Sequence, residues 1–181
     1  GEVKMAEDIT TKEYTPQELK QAFLKLYGGS EVGLRIYSSP ARINIIGEHI
    51  DYNGGKVFPA SINRYLYIAI RKRDDSKILY NDVRFPGSFT FDVNQTFVYD
   101  KANDYANYLN GILQQLKERG FSFDTGFEIL MASNIPAGGG ISSSSALECG
   151  FAYAVINTFG FNLDRIEIAK LGQMSEHSFM N

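Results

Sequence analysis

Two polar stretches hold the residues whose types and spacing could do chemistry. The first, 39–55, packs Arg42, Asn44, Glu48, His49, Asp51 and Asn53 among the turn-forming Gly47, Gly54 and Gly55. A sugar needs a lining of this kind, because each hydroxyl both donates and accepts, and paired carboxylates beside amides can hold adjacent hydroxyls in one orientation. The same residue types also make a solvated loop with a salt bridge. Zinc is a third option, but the chain has only two histidines, His49 and His177, and their spacing matches no zinc signature.

The second stretch runs from Asn134 through Gly138, Gly139 and Gly140 to Ile141, Ser142, Ser143, Ser144 and Ser145. Glycines let backbone approach a ligand without Cβ interference, and a following helix start offers free N–H groups and the positive end of the helix dipole. Those are the parts of a polyphosphate cradle. It is not a Walker A loop, since no Lys-Ser or Lys-Thr follows the glycines, and G-x-G-x-x-G fails at Ser143. A flexible Gly/Ser linker has the same composition. Against it, 147–159 begins at once and reads as a buried helix, which would hold the loop at its far end.

The elements that must position these stretches can be read in order. Residues 1–14 lack a period and form an extended or disordered lead. Thr15-Pro16-Gln17-Glu18 combines an N-cap, a proline at the first helical position and a capping-box glutamate. Leu19, Ala22, Phe23, Leu26 and Tyr27 then mark one buried helix face, which Gly28 and Gly29 end. Strands are expected at 34–38, 57–62, 65–70 and 127–132, with weaker ones at 77–80 and 88–93. Apolar residues at Tyr105, Tyr108, Leu109, Ile112, Leu113 and Leu116 predict a helix over 104–119, stopped by Gly120. The segment after the serines is apolar nearly all round, so it belongs between layers. Asp164-Arg165-Ile166-Glu167 opens a final helix with a second capping box. Strands grouped before helices, rather than in strict alternation, point to an α+β fold.

The 181 residues can bury a full core, and one domain is the default. A net charge of −3 without a basic cluster argues against nucleic acid or an anionic membrane as partner. The single Cys149 has no intrachain partner, and no long apolar segment or signal-peptide pattern occurs. A reducing compartment, the cytoplasm, is expected.

The run Arg42-Ile-Asn-Ile-Ile-Gly-Glu-His-Ile-Asp-Tyr52 resembles the galactokinase signature, and 136–144 resembles the ATP-binding motif of the same family, the GHMP sugar and metabolite kinases. The resemblance spans 15–181 and corresponds to the N-terminal half of that family's proteins. It implies a sugar- and ATP-binding N-terminal domain over 15–181, with a mixed β-sheet packed against helices. Galactose and ATP would be the small-molecule partners, and the product galactose 1-phosphate. Glu48, His49 and Asp51 would line the sugar pocket. Arg42 would stand beside the reacting hydroxyl and the γ-phosphate. Gly138, Gly139, Gly140, Ile141, Ser142, Ser143 and Ser144 would wrap the phosphates. Ser144 and Glu176, the latter in a Ser-Glu-His-Ser run like the family's Ala-Glu-His-Ser, would hold Mg2+.

Taken without the family, Glu176 reads as a solvated helix carboxylate. The family's catalytic aspartate follows the Mg2+ glutamate in a Gly-Ile-Met-Asp stretch, which does not occur here. The expectation is therefore a domain truncated before that aspartate, inactive alone, with a C-terminal domain as packing partner and an apolar face that invites self-association. Two relatives of the same resemblance remain: an N-acetylgalactosamine kinase, separated only by room beside the C2 substituent, and a non-catalytic galactose/ATP sensor, which the full-length serine run disfavours.

Overall fold

A computed structural model of the chain describes residues 13–38, 65–134 and 141–180, with the side chains of 141–143 and 175–178 excepted. The predicted strand at 57–62 lies outside the described residues. Helix α1 (Pro16–Tyr27) is opened by the full capping box: Thr15 Oγ1 accepts from the Glu18 amide at 3.1 Å, and Glu18 Oε1 accepts from the Thr15 amide at 3.2 Å. Leu19 and Phe23 are fully buried, whereas Leu26, counted on that face from the sequence, is 49% exposed. Its position lies at the margin of a stripe only wide enough for Leu19, Phe23 and the half-buried Tyr27.

Five strands form one mixed sheet: β1 (Arg35–Ser38), β2 (Leu66–Lys72), β3 (Lys77–Asp82), β4 (Phe85–Asp92) and β5 (Phe127–Ser133), in the order β1-β2-β5-β3-β4. Neighbours are antiparallel except β3 and β5, which run parallel. Strand β4 begins three residues before the predicted 88 and includes Pro86, which an edge strand tolerates because one side of its backbone needs no partner. A short 3-10 turn (Lys101–Asn103) precedes α2 (Ala106–Glu118). That helix starts two residues later than the periodicity suggests, because Asp104 takes a positive φ of 46° that helix cannot continue through. Helices α3 (Ile141–Phe159) and α4 (Arg165–Ser178) complete the chain order.

The period of two in β2 and β5 divides the core between the sheet's faces. Ile68, Ile70, Phe127, Ile129 and Met131, with Ile78 and Tyr80 of β3, pack under α2, α3 and α4, where Leu109, Leu113, Phe151 and Val155 meet them. Ala69, Leu130 and Ala132 face Leu19 and Phe23 of α1 instead. Burying each of those two side chains stabilises by roughly 1.5–3 kcal/mol.

Strand β5 is buried along its whole length and carries a charge, Glu128, at its second position. Arg71 Nη2 donates to Glu128 Oε1 at 2.7 Å, and Arg73 Nη1 donates to Oε2 at 2.8 Å. Arg71 also donates to the Ser30 carbonyl at 2.8 Å and lies over the Phe23 ring, so the same guanidinium ties the loop after α1 to the sheet. Replacing Glu128 by alanine would leave two guanidiniums partly buried without their acceptor. The expected loss is about 3 kcal/mol of unfolding free energy in urea denaturation, the scale on which breaking a buried ion pair acts; a loss below about 1 kcal/mol would mean the arginines find solvent instead.

Candidate active site

One edge of the sheet gathers the ends of both chemistry-bearing stretches. Strand β1 ends at Ser38, just before 39–64, and β2 begins at Leu66, just after it. Strand β5 ends at Ser133, just before 135–140, and α3 begins at Ile141. Cα register places Ser38 opposite Tyr67, and Leu66 opposite Ser133. Hydrogen bonds then stitch the flanks together. The Tyr65 amide donates to Asn134 Oδ1 at 2.7 Å, the Ser133 hydroxyl donates to the Tyr65 carbonyl at 2.8 Å, and the Asn134 amide donates to that carbonyl at 3.3 Å. Two stretches far apart in sequence are thus anchored at touching residues.

The strand end beside them is polar and well ordered by contacts. Asp82, at the C-terminal end of β3, is nearly buried and takes both Nε and Nη2 of Arg84, at 3.2 and 3.1 Å, together with the Arg84 amide at 2.8 Å. Tyr105 packs edge-on against Phe89, and burial pushes its phenol well above the ordinary value, with the Asp82 charge adding to the rise. Tyr65 is raised too, mainly by burial. These phenols stay protonated at any working pH and can serve as neutral donors.

Most sequence-predicted site residues lie outside the described residues: Arg42, Glu48, His49, Asp51, Gly138, Gly139 and Gly140. Ile141, Ser142 and Ser143 form the first turn of α3, and Glu176 lies in the last turn of α4, but their side chains are not described except for isoleucine's place in the helix. Ser144 is half-buried and engaged in polar contact. The first turn of this 19-residue helix carries no acidic residue to oppose an anion.

Helices α3 and α4 form an antiparallel hairpin. Gly160, with φ of 71°, lets α3 end in a left-handed turn, and the Phe161 amide donates back to the Ile156 carbonyl at 2.9 Å. Asp164 Oδ1 accepts from the Glu167 amide at 2.8 Å, half of the predicted capping box, while the Glu167 carboxylate turns instead to Arg119 at 3.9 Å. Glu148 and Gly172 meet across this hairpin. Ser144 stands one helical turn before Glu148 on α3, and Glu176 one turn after Gly172 on α4. Hydroxyl and carboxylate oxygens are the donor types Mg2+ prefers, so the chemistry of these two residue types, apart from any geometry, suits the cation the resemblance implies.

The galactokinase galactose-binding signature matches residues 21–72, and the GHMP kinases N terminal domain matches residues 107–181. The chain belongs to the galactokinase family of the GHMP kinases. A galactokinase of Streptococcus suis is 42% identical over 166 residues, and one of Bacillus subtilis is 36% identical over 166 residues; each alignment covers 91% of this chain and 42% of the relative. The crystal structure of Lactococcus lactis galactokinase complexed with galactose superposes with a TM-score of 0.73 at 34% identity, again over 91% of this chain and 42% of that one. Methanococcus jannaschii mevalonate kinase, with a TM-score of 0.54 at 24% identity, shares the fold alone. The chain therefore spans about two fifths of the length of these relatives. Among the described residues, no helix is long and apolar enough to cross a membrane.

Sequence reasoning assigned no role to Asn134, Tyr65, Asp82, Arg84 or Glu148. Only Asn134 carried a signal, its place immediately before the glycine stretch; the others join the site region through strand register.

Two outcomes follow from this geometry. Asn134→Ala removes the acceptor for the Tyr65 amide and should cost about 1 kcal/mol of stability, with Tyr65 amide exchange accelerating relative to the core of β2; unchanged exchange would show that the stitch does not hold the edge. Burial, and then the charge of Glu148, raise the Cys149 thiol above its ordinary pKa. A raised pKa leaves less thiolate at a given pH. Iodoacetamide should therefore label Cys149 more slowly than a free cysteine at pH 8, and Glu148→Gln, by removing the second cause, should speed the labelling.

Proposed function

We propose that this chain supplies the sugar- and nucleotide-binding domain, over 15–181, of an enzyme that transfers the γ-phosphoryl group of ATP to the anomeric hydroxyl of galactose. The observation that carries the reading is the Tyr65–Asn134 stitch, which joins the residue that follows the sugar-signature stretch to the residue that precedes the glycines. A phosphoryl donor and an acceptor hydroxyl must meet within bonding distance, and two binding stretches rooted on one sheet edge provide for that. The galactose in the Lactococcus lactis relative's crystal structure supports the choice of sugar.

In this reading Glu48 and Asp51 accept hydrogen bonds from sugar hydroxyls, and His49 lines the same pocket. Arg42 stabilises the negative charge that develops on the transferred group. Backbone amides of Gly138 to Ser144 hold the phosphates at the start of α3. Ser144 and Glu176 would hold Mg2+, which, when bound, neutralises phosphate charge. The remaining chemistry is positioning. These roles include no general base, and the site operates in the cytoplasm as part of a longer polypeptide.

The test is release of ADP from Mg-ATP with galactose, N-acetylgalactosamine or glucose offered separately. The polypeptide extended to the length of its relatives should turn over and prefer galactose, and the 181 residues alone should not. Turnover by the short chain would make Glu48, Asp51 or Glu176 the base and refute the assigned roles. In the extended protein Arg42→Ala should lower kcat by about 10²- to 10³-fold, the scale of losing one preorganised charge-stabilising group, while Asp51→Ala should act mainly on the KM for galactose.

A further inference from the structure

Asn134 ends the pairing of β5 with β2 by an exchange of roles between main chain and side chain. Opposite residues of a hydrogen-bonded antiparallel pair exchange both N–H···O bonds through their main chains. Continuing the register in which Leu66 faces Ser133 makes Tyr65 and Asn134 the next pair. Half of the usual exchange is present there, since the Asn134 amide donates to the Tyr65 carbonyl at 3.3 Å. The other half is made by a side chain: the Tyr65 amide donates to Asn134 Oδ1 at 2.7 Å. The ladder of β2 therefore keeps its bond although the Asn134 carbonyl takes no part in it.

Tyr65 is also held at its other polar groups. Its carbonyl takes a second donor, the Ser133 hydroxyl at 2.8 Å, and its phenol oxygen accepts from the Tyr14 amide at 2.9 Å, immediately before the N-cap Thr15 of α1. Its ring stacks on Tyr67 at 4.8 Å. A residue tied at amide, carbonyl, hydroxyl and ring has little slack, and no residue separates this clasp from 39–64 on one side or from 135–140 on the other. Hydrogen-bonded networks of packed residues are carriers of coupling between sites. A ligand that fixes the chain on one side of the clasp also fixes the anchor of the other side, so the second ligand meets ordering that has already been done.

We propose that Asn134 is a positioning residue that couples the two substrates: through its clasp on Tyr65, bound sugar strengthens the binding of nucleotide and bound nucleotide strengthens the binding of sugar. The inference rests on the reading under Proposed function that 39–64 serves the sugar and 135–144 the nucleotide. Linkage makes the effect reciprocal, with one factor for both directions.

The experiment uses the polypeptide extended to the length of its relatives. Galactose is titrated by calorimetry into the protein alone and into the protein saturated with Mg2+ and the non-hydrolysable analogue AMP-PNP. The ratio of the two galactose affinities is the coupling factor, which is independent of turnover. In the unsubstituted protein it should be about fivefold or more, the lower end of the range for coupled sites. Asn134→Ala should bring it below twofold while the galactose affinity without analogue changes less than threefold. Tyr65→Phe removes the tie to Tyr14 and leaves the main-chain bonds to Asn134, so it should lower Tm yet keep most of the factor. A full factor in Asn134→Ala would overturn the proposal. So would a factor that falls with Tm in both variants, which is what a purely structural role predicts. Should Asn134→Ala fail to fold, Ser133→Ala, which removes one donor to the Tyr65 carbonyl, decides: a factor at least halved supports the clasp, and an unchanged one overturns it. Galactose and AMP-PNP that each bind, but independently, would sink the coupling alone, whereas failure of either to bind would sink the reading it rests on.

Discussion

A carboxylate held inside a strand that has neither a free edge nor a free face governs much of this structure. Strand β5 pairs on both sides and is covered on both faces, so Glu128 cannot reach water and must be neutralised in place. Two arginines supplied by β2 and the turn after it do so. Once Arg71 is committed to Glu128, its remaining nitrogen fixes the Ser30 carbonyl and its plane covers Phe23, so the arrangement of α1 against the sheet is determined by the same charge. Tyr27 adds to this, donating to the Ile129 carbonyl at 2.6 Å and accepting from Asn81 at 2.7 Å. The order imposed on β5 extends to its last residues, Ser133 and Asn134, from which the site is hung.

The sequence told most about elements whose signals are local. The Thr15–Glu18 capping box, the period of α2 and the glycine stops can be read from a few neighbouring residues, because caps and helix faces depend on spacings of three and four. Leu26 was misplaced because a stripe's edge depends on what packs opposite it. The start of α2 was misplaced because Asp104 adopts a conformation for which its residue type gives only a weak preference. Strand pairing was not legible at all: nothing near 66–72 indicates that its partner is 127–133 rather than 77–82.

The candidate site divides along the same line. Its two sequence stretches announce themselves by composition, and the family signatures agree with them. Their joining residues do not. Tyr65 and Asn134 meet because β2 and β5 run antiparallel in one register, and Glu148 meets Gly172 because a five-residue connection folds α4 back along α3.

The strand order also has a consequence for how the chain is made. Strands β2 and β3 follow one another closely, yet they never pair, because β5 lies between them. A ribosome delivers β2, β3 and β4 well before β5, so the nascent chain must hold two apolar strand edges apart while α2 is still being synthesised. Only when 127–133 clears the exit tunnel can the gap be filled, with one parallel and one antiparallel ladder closing together. Until then each edge is a template for another chain. The half-finished domain is therefore the form of this protein most in need of a chaperone, and translation pauses before 127–133 has cleared the tunnel would prolong that exposure more than later ones.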